Sequence, residues 1–155
     1  ICFSYTPLDN NHVHNANLFC AEFLIRIGSK IKNEDLFKTG IMALNYFLRD
    51  QGDNGSIKYW GREDRQNLRF SRSLIDHYHC GFEIRCLWSI ASMTHSNDVQ
   101  KAYQEHYKYY KENLLDPPRV FVFPNRQYPI NIHACSEAIL SILLLKKVNI
   151  QKSCG

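Results

Sequence analysis

Apolar residues recur along this chain with helical spacing, and two kinds of helix alternate. Residues 13–31 and 77–95 are apolar on most faces, which is typical of a helix that is buried on several sides. Residues 34–51 and 98–114 carry their apolar side chains on one face, which is typical of a helix half exposed to water. Residues 131–148 begin a third helix of the buried kind. The pattern predicts an all-α fold of about five helices in antiparallel hairpins.

The alternation of buried and half-exposed helices requires two layers. A ring of hairpins with an inner and an outer layer is an α/α toroid, and we predict that residues 1–155 form one partial ring. An ordinary orthogonal helix bundle fits the same periodicity and stays open as an alternative. The chain opens on Ile1 without an initiator Met, so we expect either a single toroid domain or a fragment of one. Missing N-terminal hairpins or a second copy of the chain (a homo-oligomer) would then complete the ring.

Composition narrows the class of protein. Hydrophobic residues make up 45% of the chain, which excludes a disordered segment. The longest apolar run, residues 139–145, is far shorter than the roughly 20 residues that a membrane span needs, so no membrane span is predicted. The net charge is +4 and there is no run of Lys and Arg. This mild bias favours an anionic small molecule and gives no support for nucleic acid.

Cysteine and histidine spacing gives no metal signature. The six cysteines form no C-x-x-C pair, and the H-x-H pairs at 12–14 and 77–79 diverge on the first turn of a helix. We therefore predict no metal and no other cofactor. The cysteines in apolar helical runs indicate buried thiols and no disulfide framework, which favours a reducing cytoplasm.

A similar motif begins each buried helix: an Asn or Asp is followed two or three residues later by a His. The Asn or Asp has a structural use as a helix N-cap. The partial positive charge of a helix N-terminus disfavours imidazolium, so a histidine there is neutral and can accept or donate a proton. A single such histidine is more often a packed core residue, but three equivalent ones are predicted to converge on one rim. The three pairs are Asn11 with His14, Asp76 with His79, and Asn131 with His133.

The loops between hairpins add polar and aromatic groups to this predicted rim. Arg126 and Tyr128 lie next to Pro129 and run directly into the third buried helix. Arginine forks bind carboxylates, and aromatic side chains such as Tyr128 and Trp60 can stack on sugar rings. Arg69 and Arg72 precede the second buried helix, where a solvated loop explains them equally well.

Four segments carry a likeness to a known family: HNANL (14–18), NGSIKYWG (54–61), DHYHCGF (76–82) and RQYPINIHACSEAIL (126–140). They resemble α/α-toroid proteins encoded near bacterial exopolysaccharide genes. The fold of those proteins is similar to that of the N-acylglucosamine 2-epimerases and the unsaturated glucuronyl hydrolases. The resemblance implies a carbohydrate-processing domain linked to bacterial polysaccharide metabolism, with an anionic or N-acetylated saccharide as its partner.

The resemblance to the epimerases implies that His79 and His133 remove and return a proton from opposite walls of a pit. In the alternative, a hydrolase, Asp76 is the general acid or base and Arg126 holds a uronate carboxylate, although position 131 is Asn where a second acid is expected. The third alternative is a non-catalytic glycan-binding or assembly module, so catalysis itself stays open. The residues expected to bind the saccharide are His14, Asn15, Trp60, Arg126 and Tyr128.

Overall fold

A computed structural model describes residues 1–66 and 74–153, and five α-helices make up most of this part of the chain. Two short antiparallel strands, β1 (Leu115–Asp116) and β2 (Arg119–Val120), follow the fourth helix, and a short 3-10 helix spans Asp64–Gln66. The predicted all-α class is confirmed. The helices are α1 (His14–Ile31), α2 (Glu34–Asp50), α3 (His77–Thr94), α4 (Asn97–Asn113) and α5 (Ile132–Ser153).

Side-chain caps and left-handed residues set the two tight helical hairpins. The side chain of Asn33 accepts a hydrogen bond from the backbone N–H of Leu36 and starts α2, and Ser96 starts α4 in the same way. Lys32 and His95 take positive φ angles of 56° and 53° and end α1 and α3. Each hairpin therefore turns within a few residues, and its helices run antiparallel.

Close backbone approach holds the first hairpin together. A Cβ atom added to Gly40 of α2 would lie 2.9 Å from both the carbonyl oxygen of Ala21 and the backbone nitrogen of Ile25 on α1. Farther along the pair, the Asn17 side-chain amide donates to the Ala43 carbonyl at 2.8 Å. The two helices lie too close for any side chain at position 40, and this tight contact buries the apolar face of α2.

The buried helices α1, α3 and α5 pack side by side, with α3 in the middle. They run parallel, because contacts follow in the same order along both partners of each pair, for example Tyr78–His133 and then Arg85–Glu137. Phe19 of α1 contacts Phe82 of α3 with ring centroids 5.2 Å apart. On the other side of α3, Arg85 pairs with Glu137 of α5 at 2.9 Å. Helix α2 packs on α1 and helix α4 packs on α3, as the alternating pattern predicts. The N-termini of the three buried helices therefore lie at one end of the molecule.

The core lies between these helices and is built from side chains of α1 to α4 and the segment before α3. Phe47, Ile57, Ile84, Leu87 and Tyr110 are among its largest fully buried members. No helix in the described part is both long and apolar enough to cross a membrane.

Candidate functional site

The start of α3 brings a carboxylate and an imidazole into direct contact. Asp76 Oδ1 accepts the backbone N–H of His79 at 3.0 Å and caps the helix. Its second oxygen, Oδ2, lies 2.6 Å from His79 Nδ1. Because a carboxylate accepts, Nδ1 carries the proton, and in the neutral form of the ring Nε2 on the far side would hold the lone pair. This arrangement, the Asp76–His79 dyad, can orient a general acid or base.

The dyad is partly exposed and lines two adjoining surface pockets. The first has a volume of about 280 Å³ and is walled by Tyr59, Trp60 and Leu74 together with the dyad. The second, of about 250 Å³, lies between the dyad, Tyr78 and the segment before α5. Both volumes lie just below the usual range of small-molecule sites, so each pocket has room for a small ligand only.

The residues that line the dyad pockets, and not the pocket volumes, distinguish them from the other pockets. A pocket of about 310 Å³ also lies at the turn between α1 and α2, but its wall is made of Gly28, Phe37 and solvated polar residues. The dyad pockets combine a hydrogen-bonded carboxylate–imidazole pair with aromatic walls. The Tyr59 ring packs edge-on against the His79 ring at 4.6 Å and against the Trp60 ring at 4.8 Å.

Helix α5 brings His133 to the same end of the molecule but not into contact with His79. The ring of Tyr78 lies between them, with its centroid 5.3 Å from the ring of His79 and 5.4 Å from that of His133. His133 is exposed, and its backbone N–H donates to Asn131 Oδ1 at 2.9 Å. The predicted N-cap role of Asn131 is thus seen directly, while the proton-transfer role of His133 stays a prediction.

The structure places His14 in the interior, not at an open mouth. It has no solvent exposure, and its Nε2 lies 3.2 Å from Asp50 Oδ2. Residues 59–61 cover this helix start, because the Tyr59 carbonyl accepts the His14 N–H at 3.1 Å. Its neighbour Asn15 is 6% exposed and donates to the Tyr5 hydroxyl at 2.7 Å. In this arrangement the His14 side chain is closed to a ligand, and the Asn15 side chain is almost closed.

Arg126 and Tyr128 lie on the exposed loop before α5. The Arg126 guanidinium donates to the Tyr128 carbonyl at 3.0 Å and lies 5.7 Å from the centroid of Phe123, which lines the second dyad pocket. Tyr128 is 64% exposed. Arg126 therefore lies beside a residue of the pocket wall. Arg69 and Arg72 lie outside the described residues.

Buried histidines form a second class that the sequence pattern does not separate from the first. His77 Nδ1 lies 3.1 Å from the carbonyls of Leu114 and Phe121, so it donates, and its Nε2 accepts from the Tyr110 hydroxyl. Burial lowers the pKa of His77 despite the opposing effect of those carbonyls. His77 is therefore a neutral, satisfied core residue, which only the contacts of its two nitrogens reveal.

The two buried cysteines of α3 are poor candidates for a nucleophile. Burial raises the pKa of Cys86 to about 12 and that of Cys80 well above its ordinary value. Both thiols are therefore protonated near neutral pH, and a protonated thiol is a poor nucleophile. The dyad remains the best-placed group for chemistry in the described part of the chain.

Comparison of the chain with protein-family models, with curated proteins and with solved structures found no match.

Proposed function

We propose that the chain is a carbohydrate-processing domain in which the Asp76–His79 dyad transfers a proton on a bound sugar. The observation that carries the proposal is the 2.6 Å contact between Asp76 Oδ2 and His79 Nδ1, at a pocket walled by Tyr59 and Trp60. The carboxylate fixes the ring so that Nε2 is the nitrogen presented to a ligand. Aromatic walls suit the apolar faces of a sugar ring, and the dyad suits its hydroxyl and carbonyl groups.

The packing of the helices fits a segment of an α/α toroid. Side-by-side packing of α1, α3 and α5, with α2 on α1 and α4 on α3, is the arrangement that successive hairpins of an α/α toroid would have. We propose that this row is a segment of such a ring, and that the dyad lies at the rim of its central pit. An orthogonal bundle would cross these helices at steep angles. Here α1 contacts α3 at Phe19–Phe82 and again at Glu22–Ser89, and α3 contacts α5 at Tyr78–His133 and again at Arg85–Glu137. Contacts in the same order along both partners are those of parallel neighbours.

The reaction class that fits is proton exchange at the carbon next to a carbonyl. In the open-chain form of an N-acylated amino sugar, His79 Nε2 would take the proton and the electron pair would move to the carbonyl oxygen. Return of the proton to either face of that carbon gives the starting sugar or its epimer. In the two-histidine version His133 would return the proton, and the Tyr78 ring would have to move from its place between the two histidines.

A non-catalytic glycan-binding module is the second candidate, because the aromatic wall of Tyr59 and Trp60 would bind a sugar without any proton transfer. A hydrolase is less well supported. Asp76 is already engaged as the cap of α3 and the partner of His79, and position 131 supplies an amide where a second acid is needed. The free thiols of Cys2, Cys20, Cys80, Cys86 and Cys135 fit the proposed cytoplasmic location.

Solvent exchange tests the proposal directly. The chain is incubated in heavy water with N-acetylglucosamine, and deuterium at the carbon beside the carbonyl is followed by NMR. We expect exchange with the wild type and a loss of roughly 100-fold to 10,000-fold in His79→Gln, which cannot shuttle a proton. The matched control is His95→Gln, because His95 is exposed at the far end of α3.

Equal exchange rates in wild type and His79→Gln would overturn the proton-transfer proposal. Binding of the sugar without exchange, in the wild type as well as the variant, would establish the glycan-binding module instead. A loss in His133→Gln as large as that in His79→Gln would favour the two-histidine version.

A further inference from the structure

A cysteine, a glutamate and a histidine meet in the interior between α3 and α4. Cys80 and Glu83 are three residues apart on one face of α3, and His106 faces them from α4. Their ligand atoms all lie within 4.8 Å of one another, and His106 Nε2 is 3.2 Å from Glu83 Oε2. All three are buried, with exposures of 1%, 2% and 0%.

The hydrogen bond of one His106 nitrogen leaves the other nitrogen facing this cluster. His106 Nδ1 lies 2.9 Å from the carbonyl of Gly55, and a carbonyl only accepts, so Nδ1 carries the proton. In a neutral ring, Nε2 would point a lone pair toward the Glu83 oxygen 3.2 Å away. Within the described part of the chain Nε2 has no hydrogen-bond partner. Two facing lone pairs in a dry interior repel each other unless a cation or a proton lies between them.

The turn at Gly55, which accepts the hydrogen bond of His106, has a conformation that requires glycine. Gly55 has a φ angle of +81°, and a Cβ atom there would lie 2.2 Å from the Glu105 carbonyl oxygen, so only glycine fits. Metal-binding histidines typically donate their second ring nitrogen to a backbone carbonyl, which fixes the ring orientation and makes the free nitrogen more basic. His106 has this arrangement.

We infer that Cys80, Glu83 and His106 form a buried site for a divalent transition-metal ion of the zinc type. In a tetrahedral zinc site with bonds of about 2.0 to 2.3 Å, ligand atoms are separated by about 3.3 to 3.6 Å, which the observed cluster accommodates. Thiolate and imidazole ligands select zinc over magnesium or calcium, which prefer oxygen. The thiol of Cys80 gives up its proton when the metal binds.

Cys80, Glu83 and His106 supply three of the four ligands of a tetrahedral ion, and a water molecule would take the fourth position. Because all three residues are buried, the inferred role of the ion is structural. It would join the first half of α3 to the middle of α4 and, through His106, to the Gly55 turn. Cys80 directly follows His79 in sequence, so the ion would also fix the helix that presents the dyad. The site does not depend on the proposed function, because its ligands are buried away from the dyad pockets.

Cobalt substitution tests the site. The 155-residue chain is stripped with a chelator, and Co²⁺ is added while the near-ultraviolet and visible spectra are recorded. We expect one Co²⁺ per chain with a sulfur-to-cobalt charge-transfer band, and a thermal midpoint that rises with Zn²⁺ and falls with chelator. Cys80→Ser should abolish the band and weaken Zn²⁺ binding by roughly 100-fold or more. The matched control is Cys86→Ser, because Cys86 is also a buried cysteine of α3 but lies outside the cluster.

The wild-type spectrum alone can overturn the inference, whether or not Cys80→Ser folds. Absence of the charge-transfer band in wild type, together with a thermal midpoint that Zn²⁺ leaves unchanged, would show that the cluster is a buried imidazolium–carboxylate pair. A band that survives Cys80→Ser and disappears in Cys86→Ser would place the metal elsewhere. Retention of the band in His79→Gln is expected and separates this site from the dyad.

Discussion

The side chain of Asp76 at the start of α3 has two roles. Asp76 caps the helix through one oxygen and holds the imidazole of His79 through the other. The first duty concerns the stability of the fold, and the second concerns the orientation of a reactive ring. Because different oxygen atoms perform them, substitutions can separate the two.

We predict that Asp76→Asn retains the cap and loses the oriented imidazole. The amide oxygen can still accept the His79 N–H, so the free energy of unfolding should fall by less than about 1 kcal/mol, whereas Asp76→Ala should lose about 1 kcal/mol or more with the cap. Sugar-dependent proton exchange should fall in both variants. Denaturant unfolding and the exchange assay check this, and full exchange activity in Asp76→Asn would contradict the orienting role.

The buried histidine His77 gives a pH dependence of known sign. Burial holds its pKa below the ordinary 6.5, so the unfolded chain binds the proton more tightly than the folded one. The stabilisation by neutral His77 is therefore complete above pH 6.5 and is lost as the pH falls below it. Tyr110 contacts this ring directly, and the nearby charge of Asp76 opposes the shift.

We predict that the stability difference between wild type and His77→Gln shrinks between pH 7.5 and pH 5. At pH 7.5 the variant should be less stable by about 1–3 kcal/mol, because the hydrogen bonds of a buried ring are lost. Denaturant unfolding at several pH values measures the difference, and contributions of the other histidines cancel. A difference that stays constant with pH would show that His77 does not titrate differently in the folded chain.

At the scale of elements, periodicity predicted nearly the whole helical layout. Helices expected near residues 34–51 and 98–114 are found as α2 (Glu34–Asp50) and α4 (Asn97–Asn113). The two short strands, β1 and β2, pair across the turn at Pro117 and Pro118. Such local features follow from residue spacing and turn chemistry, both of which are visible in the sequence.

Contacts between distant segments could not be predicted in the same way. The sequence pattern pairs His14 with His79, but in the structure His14 and His77 are the first residues of α1 and α3. Their backbone N–H groups donate to the carbonyls of Tyr59 and Val122 and both side chains are buried, whereas the side chain of His79 is partly open. The Cys80–Glu83–His106 cluster likewise joins two helices and a glycine turn, which no spacing rule within one segment reveals. The sequence spacing shows that Asp76 and His79 share one helical turn. It does not show that their side chains are in contact.

We predict that Gly40→Ala destabilises the first hairpin, although alanine is the better helix former by about 1 kcal/mol. The new methyl group would meet backbone atoms of Ala21 and Ile25 that cannot rotate away. Overpacking of this kind typically costs about 1–3 kcal/mol, so the net free energy of unfolding should fall. The control Met42→Ala, at an exposed position of the same helix, should change stability by no more than about 0.5 kcal/mol. Thermal unfolding of both variants checks this, and a stabilised Gly40→Ala would contradict the close packing of α1 and α2.

At the scale of the whole molecule, the buried-type helices at the two ends of the row keep apolar side chains in water. Phe19 and Phe23 are exposed on one face of α1, and Ile139, Leu140 and Leu143 are exposed on α5. Apolar surface of this kind is typical of an interface. In a ring of hairpins these faces would meet further hairpins or a second copy.

We predict that the isolated chain self-associates through these faces. Light scattering over a range of concentrations should show a rising mass, and Phe23→Lys should reduce it by placing a charge in the interface. Met42→Lys, which adds the same charge to an exposed apolar position of α2, should leave the mass unchanged. A monomer at every concentration, or equal effects of the two substitutions, would count against the open-row arrangement.

The most direct test of the account is whether a saccharide touches the dyad. Imidazole resonances of the chain with ¹⁵N-labelled histidine are recorded by NMR while N-acetylglucosamine or glucuronate is added, and His79 is assigned from the signal missing in His79→Gln. The account predicts a saturable shift of the His79 nitrogens, while exposed His95 and buried His106 stay unchanged. Unchanged His79 signals at saturating sugar, or shifts confined to histidines away from the Tyr59–Trp60 pocket, would contradict it.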